Sequence, residues 1–261
     1  MSMQEIQSVL GVALQSMHHD SARLDRISMN LANALTPGYK REVVVERPFA
    51  QMLDPTAVTG PLSAFEGQGA VQVMSDASPG TLKSTGQSLD LALAGPGYFE
   101  VATDQGPAYT RQGNFHLDAR GRLVNVLGHA VMGKGGEIYL NNPTPFIDAS
   151  GNIFEGQRGG VATSLSVDAQ SLGQIKVVQF EDRKSLQRLG NGLLSGHEDT
   201  SLQKETDIQI RQAYLENSNV NSMQEMVQLM QTMRHFESMQ KVALGYDEMM
   251  GAAIRKLGEL S

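Results

Sequence analysis

Apolar residues between positions 2 and 35 recur at alternating spacings of three and four: Leu10, Ala13, Met17, Leu24, Ile27, Leu31 and Ala34, with Asp20 the one polar residue in the series. This stripe predicts an amphipathic helix, narrow enough to want a partner helix rather than a broad core. Ser2 and Glu5 form a capping-box pattern at its start. Pro37 pushes Thr36 out of the α region and Gly38 can take a positive φ, so the helix is predicted to stop by about Leu35. At 1.5 Å per residue it would be roughly 50 Å long. The other end of the chain mirrors this pattern. Met223, Met226, Met230, Met233, Phe236, Met239, Ala243, Tyr246, Met250, Ile254 and Leu257 read as one stripe at spacings of three or four, opened by Ser222 and Glu225 as a second capping box.

Between the two helices the period changes. Residues 42–85 alternate short apolar pieces such as Val43 to Val45 with Pro and Gly, which predicts an extended connector with a few short strands. From about Ser88 to Phe180 the pattern is β. Leu89, Leu91 and Leu93 alternate with Asp90 and Ala92 as a half-buried strand, and Tyr98 to Val101 follows after a Gly-Pro-Gly turn. Asp118 to Gly121 and Asp148 to Gly151 each join two apolar pieces and read as hairpins of the type I turn plus glycine kind. Val161 to Val167 and Ile175 to Phe180 supply further strands, and residues 181–212 weaken into a polar, extended return.

The predicted fold class is α+β: long N- and C-terminal helices pairing as a coiled-coil-like stem, with a β-rich central domain. Its segments are an N-terminal helix and exit motif (1–41), an extended connector (42–87), the β-rich domain (88–182), an extended return (183–214) and a C-terminal helix (215–261).

Composition narrows the function classes. A net charge of −7 gives no electrostatic footprint for nucleic acid or an anionic membrane surface. The absence of Cys removes disulfides, thiol nucleophiles and thiolate metal sites together. No run approaches the apolar length of a bilayer span, and the first residues lack the basic start of a secretory signal.

Candidate chemistry is weak throughout. Gly128 to Lys134 fits a phosphate-loop spacing, but Gly135 stands where Ser or Thr should hold magnesium, and the following residues read as a strand rather than a helix. Asp148, Ser150 and Asn152 resemble the start of a calcium loop, but Ile153 occupies the glycine position and no Glu stands twelfth. His18 and His19 are adjacent and cannot converge on one metal from a helix. No catalytic residue, cofactor site or metal site is nominated. Taken alone, the Asn-rich run 217–221 reads as a turn and N-cap, and the Met stripe as core. Their pairing with a matching N-terminal helix shifts the balance towards recognition.

Three motifs, in order along the chain, resemble the bacterial flagellar axial proteins of the rod and hook group. Asn30, Leu31, Ala32 and Asn33 followed by Thr36, Pro37, Gly38 and Tyr39 are similar to that group's N-terminal signature. Leu89 to Leu93, Gly97 to Phe99, Tyr109 to Phe115 and Gly121 to Val124 resemble its central β segment. Leu215, Glu216, Ser218, Asn219, Val220 and Asn221 before a terminal helix resemble its C-terminal signature. Length and wording are most similar to the basal-body rod proteins, the proximal-rod type rather than the distal.

The resemblance implies a non-enzymatic structural subunit of the rod. Its terminal helices would pack with copies of itself and with other rod proteins into an axial shaft, and it would leave the cell through the flagellar type III export apparatus without a cleaved signal. It implies no nucleic acid, small-molecule substrate or membrane span. The residues expected at the subunit interface are Leu10, Met17, Leu24, Ile27, Leu31, Met223, Met226, Met230, Met233, Phe236, Met250 and Ile254, and Asn30, Asn33, Asn219 and Asn221 are expected to cap helix ends and fix the exits. The rival expectations are an extracellular enzyme with a β-rich catalytic body and an adaptor whose helical arms bind without polymerising.

Overall fold

The computed structural model describes residues 3–45, 72–154, 171–180, 186–196, 200–202 and 208–258. Ser2 and the strand expected at 161–167 lie outside the described residues, as do the side chains of Leu10, Ile254 and Leu257. The chain divides into two compact units, one made of residues 1–34, 41–77 and 220–261, the other of 35–40 and 78–219.

The first unit contains helix α1 (Met3–Ala32), helix α2 (Ser222–Gly258) and a two-stranded ladder, Glu42–Val45 against Gln72–Ser75. The helices pack on each other in antiparallel sense: Asp20 meets His235, whereas Asn30, further along α1, meets Glu225, further back along α2. On α1 the inward face follows the sequence stripe, with Ala13, Asp20 and Ile27 buried and Met17, Leu24 and Leu31 half-buried.

The coiled-coil-like stem expected of these helices is not formed, and the reason lies in the spacing on α2. From Met230 through Met233 and Phe236 to Met239 three consecutive steps of three residues occur. Each falls about 60° short of a full turn, so the stripe crosses to the other side of the helix, about 180° away. Phe236, Met239, Ala243, Tyr246 and Met250 are half-buried, but Met223, Met226, Met230 and Met233 are exposed. Opposite those four, the inward face is mostly polar, with Glu225 and Thr232 buried and Gln228 half-buried, and Leu229 its one half-buried apolar residue. A continuous apolar seam, which a coiled coil requires, is absent from this half of the pair. The polar residue in the α1 stripe has a matching role: Oδ2 of Asp20 lies 2.6 Å from Nδ1 of His235.

The start of α2 also differs from the predicted capping box. Asn221 is the cap, its Oδ1 accepting from the N–H groups of Met223 at 3.1 Å and Gln224 at 3.3 Å. The Glu225 carboxylate accepts instead from Asn30 of α1 and from Arg41.

The second unit is antiparallel β. Its main sheet runs, neighbour by neighbour, through Gln187–Gly190, Leu193–Ser195, Gly106–Thr110, Tyr98–Thr103, Ala130–Gly133, Leu123–Val124 and His116–Leu117. Val177–Phe180 adds to Tyr98–Thr103. Smaller ladders join Leu91–Leu93 to Ile210–Gln212 and Leu82–Ser84 to Tyr214–Glu216. Leu91, Phe99, Val101, Leu123, Val131, Ile153 and Ile175 form the centre of the core, and the Phe99 and Phe115 rings meet edge to face at 5.3 Å. Leu91–Leu93 was expected to be half-buried; all three residues are buried, Ala92 included. The hairpin 187–195 lies where an extended return was expected, and its turn is carried by Gly190, Asn191 and Gly192, all at positive φ.

The Asp118 and Asp148 turns use one device. Oδ1 of Asp118 accepts from the N–H groups of Arg120 and Arg122, and Oδ1 of Asp148 accepts from Asn152 N–H, with Gly121 and Gly151 closing each loop. The Arg122 guanidinium, hydrogen-bonded to Asp118 at 2.8 Å, holds that carboxyl below the usual carboxylate range. A third copy, not picked out in the sequence, is centred on Asn125, whose Oδ1 accepts from Leu127 and His129 N–H and whose carbonyl accepts from Gly128. These turns account for the residues that mimicked ligand loops. Lys134 and Gly135 form the turn of the hairpin Ala130–Gly133 with Gly136–Glu137, and no helix follows.

Ala213 stands at φ 66°, between the Ile210–Gln212 and Tyr214–Glu216 strands. An L-residue there costs about 1–2 kcal/mol, while glycine loses about 0.5–1 kcal/mol more entropy on folding. Ala213→Gly is therefore expected to stabilise the chain by about 0.5–1 kcal/mol, seen as a higher urea midpoint; an unchanged or lower midpoint would refute the assigned strain.

Candidate functional site: the exit and return segments

In the β unit, the exit segment 35–40 lies beside the return segment at Glu216 to Asn219. Gly38 N–H donates to the Glu216 carbonyl at 2.7 Å, and Asn219 N–H to the Tyr39 carbonyl at 3.4 Å. Gly38 is at φ 68°, and a Cβ built on it would lie 2.5 Å from the carbonyl carbon and oxygen of Arg111. Both the backbone conformation and the close approach therefore require glycine. Tyr39 is buried, with the Arg188 guanidinium 5.7 Å from its ring centre.

Glu216 is the node of this junction. Its side chain is fully buried, and Oε1 accepts from Lys40 Nζ at 2.5 Å and from Gly80 N–H at 2.9 Å. Oε2 lies 3.4 Å from Arg111 Nη1. Its neighbours complete the tie: Asn217 N–H donates to Thr81 O, and Asn219 Nδ2 to Ser78 O at 3.1 Å. Gly80 lets the strands close, since a Cβ there would meet the Asn217 carbonyl oxygen at 1.9 Å.

The helical unit holds a second buried carboxylate of the same kind. Glu225, at 1% exposure, accepts from Arg41 Nε at 2.6 Å and from Asn30 Nδ2 at 3.2 Å. Asn30 is itself buried and offers its amide edge to one backbone residue: Nδ2 donates to Glu42 O and Oδ1 accepts from Glu42 N–H, both at 2.8 Å. Arg26 reaches the Glu42 carboxylate at 2.9 Å. An asparagine in α1 thus ties the first strand residue after the exit, and the consecutive bases Lys40 and Arg41 each serve one buried glutamate.

The motif residues divide by what they touch. Asn30 and Asn33 act on α1, where Asn33 Nδ2 donates to Met29 O at 2.9 Å, and Asn221 caps α2. Leu31 is half-buried and Ala32 exposed. Thr36, Pro37, Gly38 and Tyr39 form the exit turn, with Tyr39 N–H bonded to Thr36 O. Leu215, Glu216, Ser218, Asn219 and Val220 belong to the return. Of the residues expected at a subunit interface, Met17, Leu24, Ile27, Leu31, Phe236 and Met250 are buried or half-buried within the protomer, whereas Met223, Met226, Met230 and Met233 are open. Sequence reasoning missed Lys40, Arg41, Arg111 and Glu42, and it named Glu216 only as a motif residue and Glu225 only as part of a capping box. Their signal was the Lys-Arg pair directly after the exit turn and a glutamate on the inward register of α2.

Comparison with known proteins bears on the same segments. Residues 211–256 match the model described as flagellar basal body rod FlgEFG protein C-terminal, and residues 92–177 match that described as flagellar hook protein FlgE/F/G D1 domain. The flagellar basal-body rod protein FlgF of Caulobacter vibrioides is 30% identical, with 91% of this chain and 93% of that protein covered. FlgF of Rhizobium meliloti is 31% identical over 97% of this chain and 99% of its own length. FlgG of Bacillus subtilis is 29% identical, over 91% of this chain and 94% of that protein. With both ends and the middle of the chain matched in order and nearly end to end, this protein belongs to the flagellar basal-body rod protein family.

Proposed function

We propose that this protein takes its place in the flagellar rod through the outward methionine face of α2, with the exit and return junctions fixing where its β unit begins. It is a structural subunit of the bacterial flagellar basal-body rod and not an enzyme, as its near-full-length relation to FlgF and FlgG proteins supports. The FlgF-type assignment within that family is favoured by the relatives from Caulobacter and Rhizobium.

The observation that carries the assembly reading is the exposure of four methionines at steps of three, four and three on one side of α2. A continuous flexible apolar stripe in water suits a contact that a neighbour completes. Copies of this chain and other rod proteins are the partners proposed for it. Non-closing contacts between such subunits build a helical shaft that carries torque. Met17, Leu24, Ile27, Leu31, Phe236 and Met250 hold the helix pair that presents the stripe, and with Leu10 and Ile254 they belong to the same proposed interface. Delivery by the flagellar type III apparatus, without a cleaved signal, completes the proposal.

The test replaces Met226 and Met230 with Glu. Both positions are exposed, so stability is expected to stay within about 0.5 kcal/mol of the native chain. Motility and recovery of rods with intact basal bodies are expected to be lost. Normal swimming by this strain would sink the assembly role of the face.

A further inference from the structure

Seven of the 14 methionines lie in α2, and their distribution is uneven. Met223, Met226, Met230 and Met233 are 76%, 51%, 53% and 48% exposed along one strip and Met249 is 54% exposed away from it, whereas Met239 and Met250 of the same helix are half-buried, as is Met17 of α1. Other apolar residues of similar volume would also keep the face adhesive, though less adaptable, but methionine alone among them carries an oxidisable thioether. The four sulfur-bearing side chains share one helix face, so conversion of any of them changes the polarity of the same strip.

We propose that this strip is an oxidative modification site that controls whether the free chain can join an assembly, a proposal that rests on the assembly reading above. A peroxide is the co-reactant. Its terminal oxygen transfers to the thioether sulfur, which is oxidised by two electrons to the sulfoxide; the O–O bond breaks and water leaves when the peroxide is hydrogen peroxide. The product is polar and accepts hydrogen bonds, so an apolar neighbour no longer gains by covering it. The reaction discriminates between states of the protein. In the free chain the sulfurs face solvent, whereas a seated neighbour covers them, so oxidation bars new subunits while leaving built structure intact. Methionine sulfoxide reductases reverse it with a dithiol as reductant, which is oxidised to a disulfide as the sulfoxide oxygen leaves as water.

The experiment treats the full-length chain with hydrogen peroxide, quantifies each sulfoxide by peptide mass spectrometry, and follows association with untreated chain by sedimentation. Met223, Met226, Met230 and Met233 are expected to oxidise roughly three- to tenfold faster than Met17 and Met239. Association of the treated chain is expected to be lost and then restored by sulfoxide reductase. A chain with all four changed to Leu keeps an apolar strip and is expected to associate with or without peroxide. Equal oxidation rates across these methionines, or undiminished association of the treated native chain, would overturn the proposal. The unoxidised Met226→Glu, Met230→Glu chain separates the two readings. If it fails to associate while the oxidised chain associates normally, only the oxidation proposal falls; if it associates normally, the assembly reading and the proposal fall together.

Discussion

Replacing Glu216 with Ala is expected to lower the stability of the chain by about 3–5 kcal/mol, the range for removing one partner from a buried ion pair. The side chain is fully buried, and its loss leaves Lys40, Arg111 and Gly80 N–H without this acceptor. Glu216→Gln keeps the shape and one carbonyl acceptor but turns an amide N–H₂ towards cationic neighbours, so it is expected to recover only a fraction. Urea unfolding followed by the near-ultraviolet signal of the β unit's tyrosines measures both. A loss under about 1 kcal/mol for the alanine variant would show that water replaces the carboxylate and that Glu216 is no node.

Gly113→Ala is expected to be comparably damaging for a different reason. A Cβ at this position would lie 1.6 Å from the carbonyl oxygen of Leu91, and Leu91 N–H donates to Gly113 O at 2.9 Å. The clash is with backbone on a strand whose three residues are all buried, so relief requires the strand to move out of its ladder with Ile210–Gln212. A cost of about 3 kcal/mol or more is expected, beyond the 1–3 kcal/mol of ordinary overpacking. Hydrogen exchange of the Leu91 to Leu93 amides should rise selectively. Unchanged protection there would mean that the two segments separate at little cost. This approach also explains why a glycine stands within the Tyr109 to Phe115 motif.

The sequence was most readable where a short stretch carried its own reason. The α1 stripe, the exit at Pro37 and Gly38, and the paired Asp turns each follow from steric or hydrogen-bonding rules acting over a few residues. The α2 face was misread because spacings of three and four were accepted in any order. Alternation keeps residues on one side, whereas three steps of three carry them across. The hairpin at 187–195 had its signal in Gly190, Asn191 and Gly192, obscured by exposed flanking strands that carry little alternation. The two glutamate nodes were of another kind. Lys40 and Glu216 stand 176 positions apart, and no local pattern pairs them. Only the chain's return brings a carboxylate to a base.

The run of threes between Met230 and Met239 sets an angular ruler within α2. One residue inserted after Met233 in that run would turn everything beyond it by about 100° relative to Glu225, Gln228 and Thr232. The inward residues would then no longer line up against α1, even if every side chain were kept. A turn such as 118–121 answers to its ends alone, whereas this segment answers to its length, and that closes it to insertion or deletion.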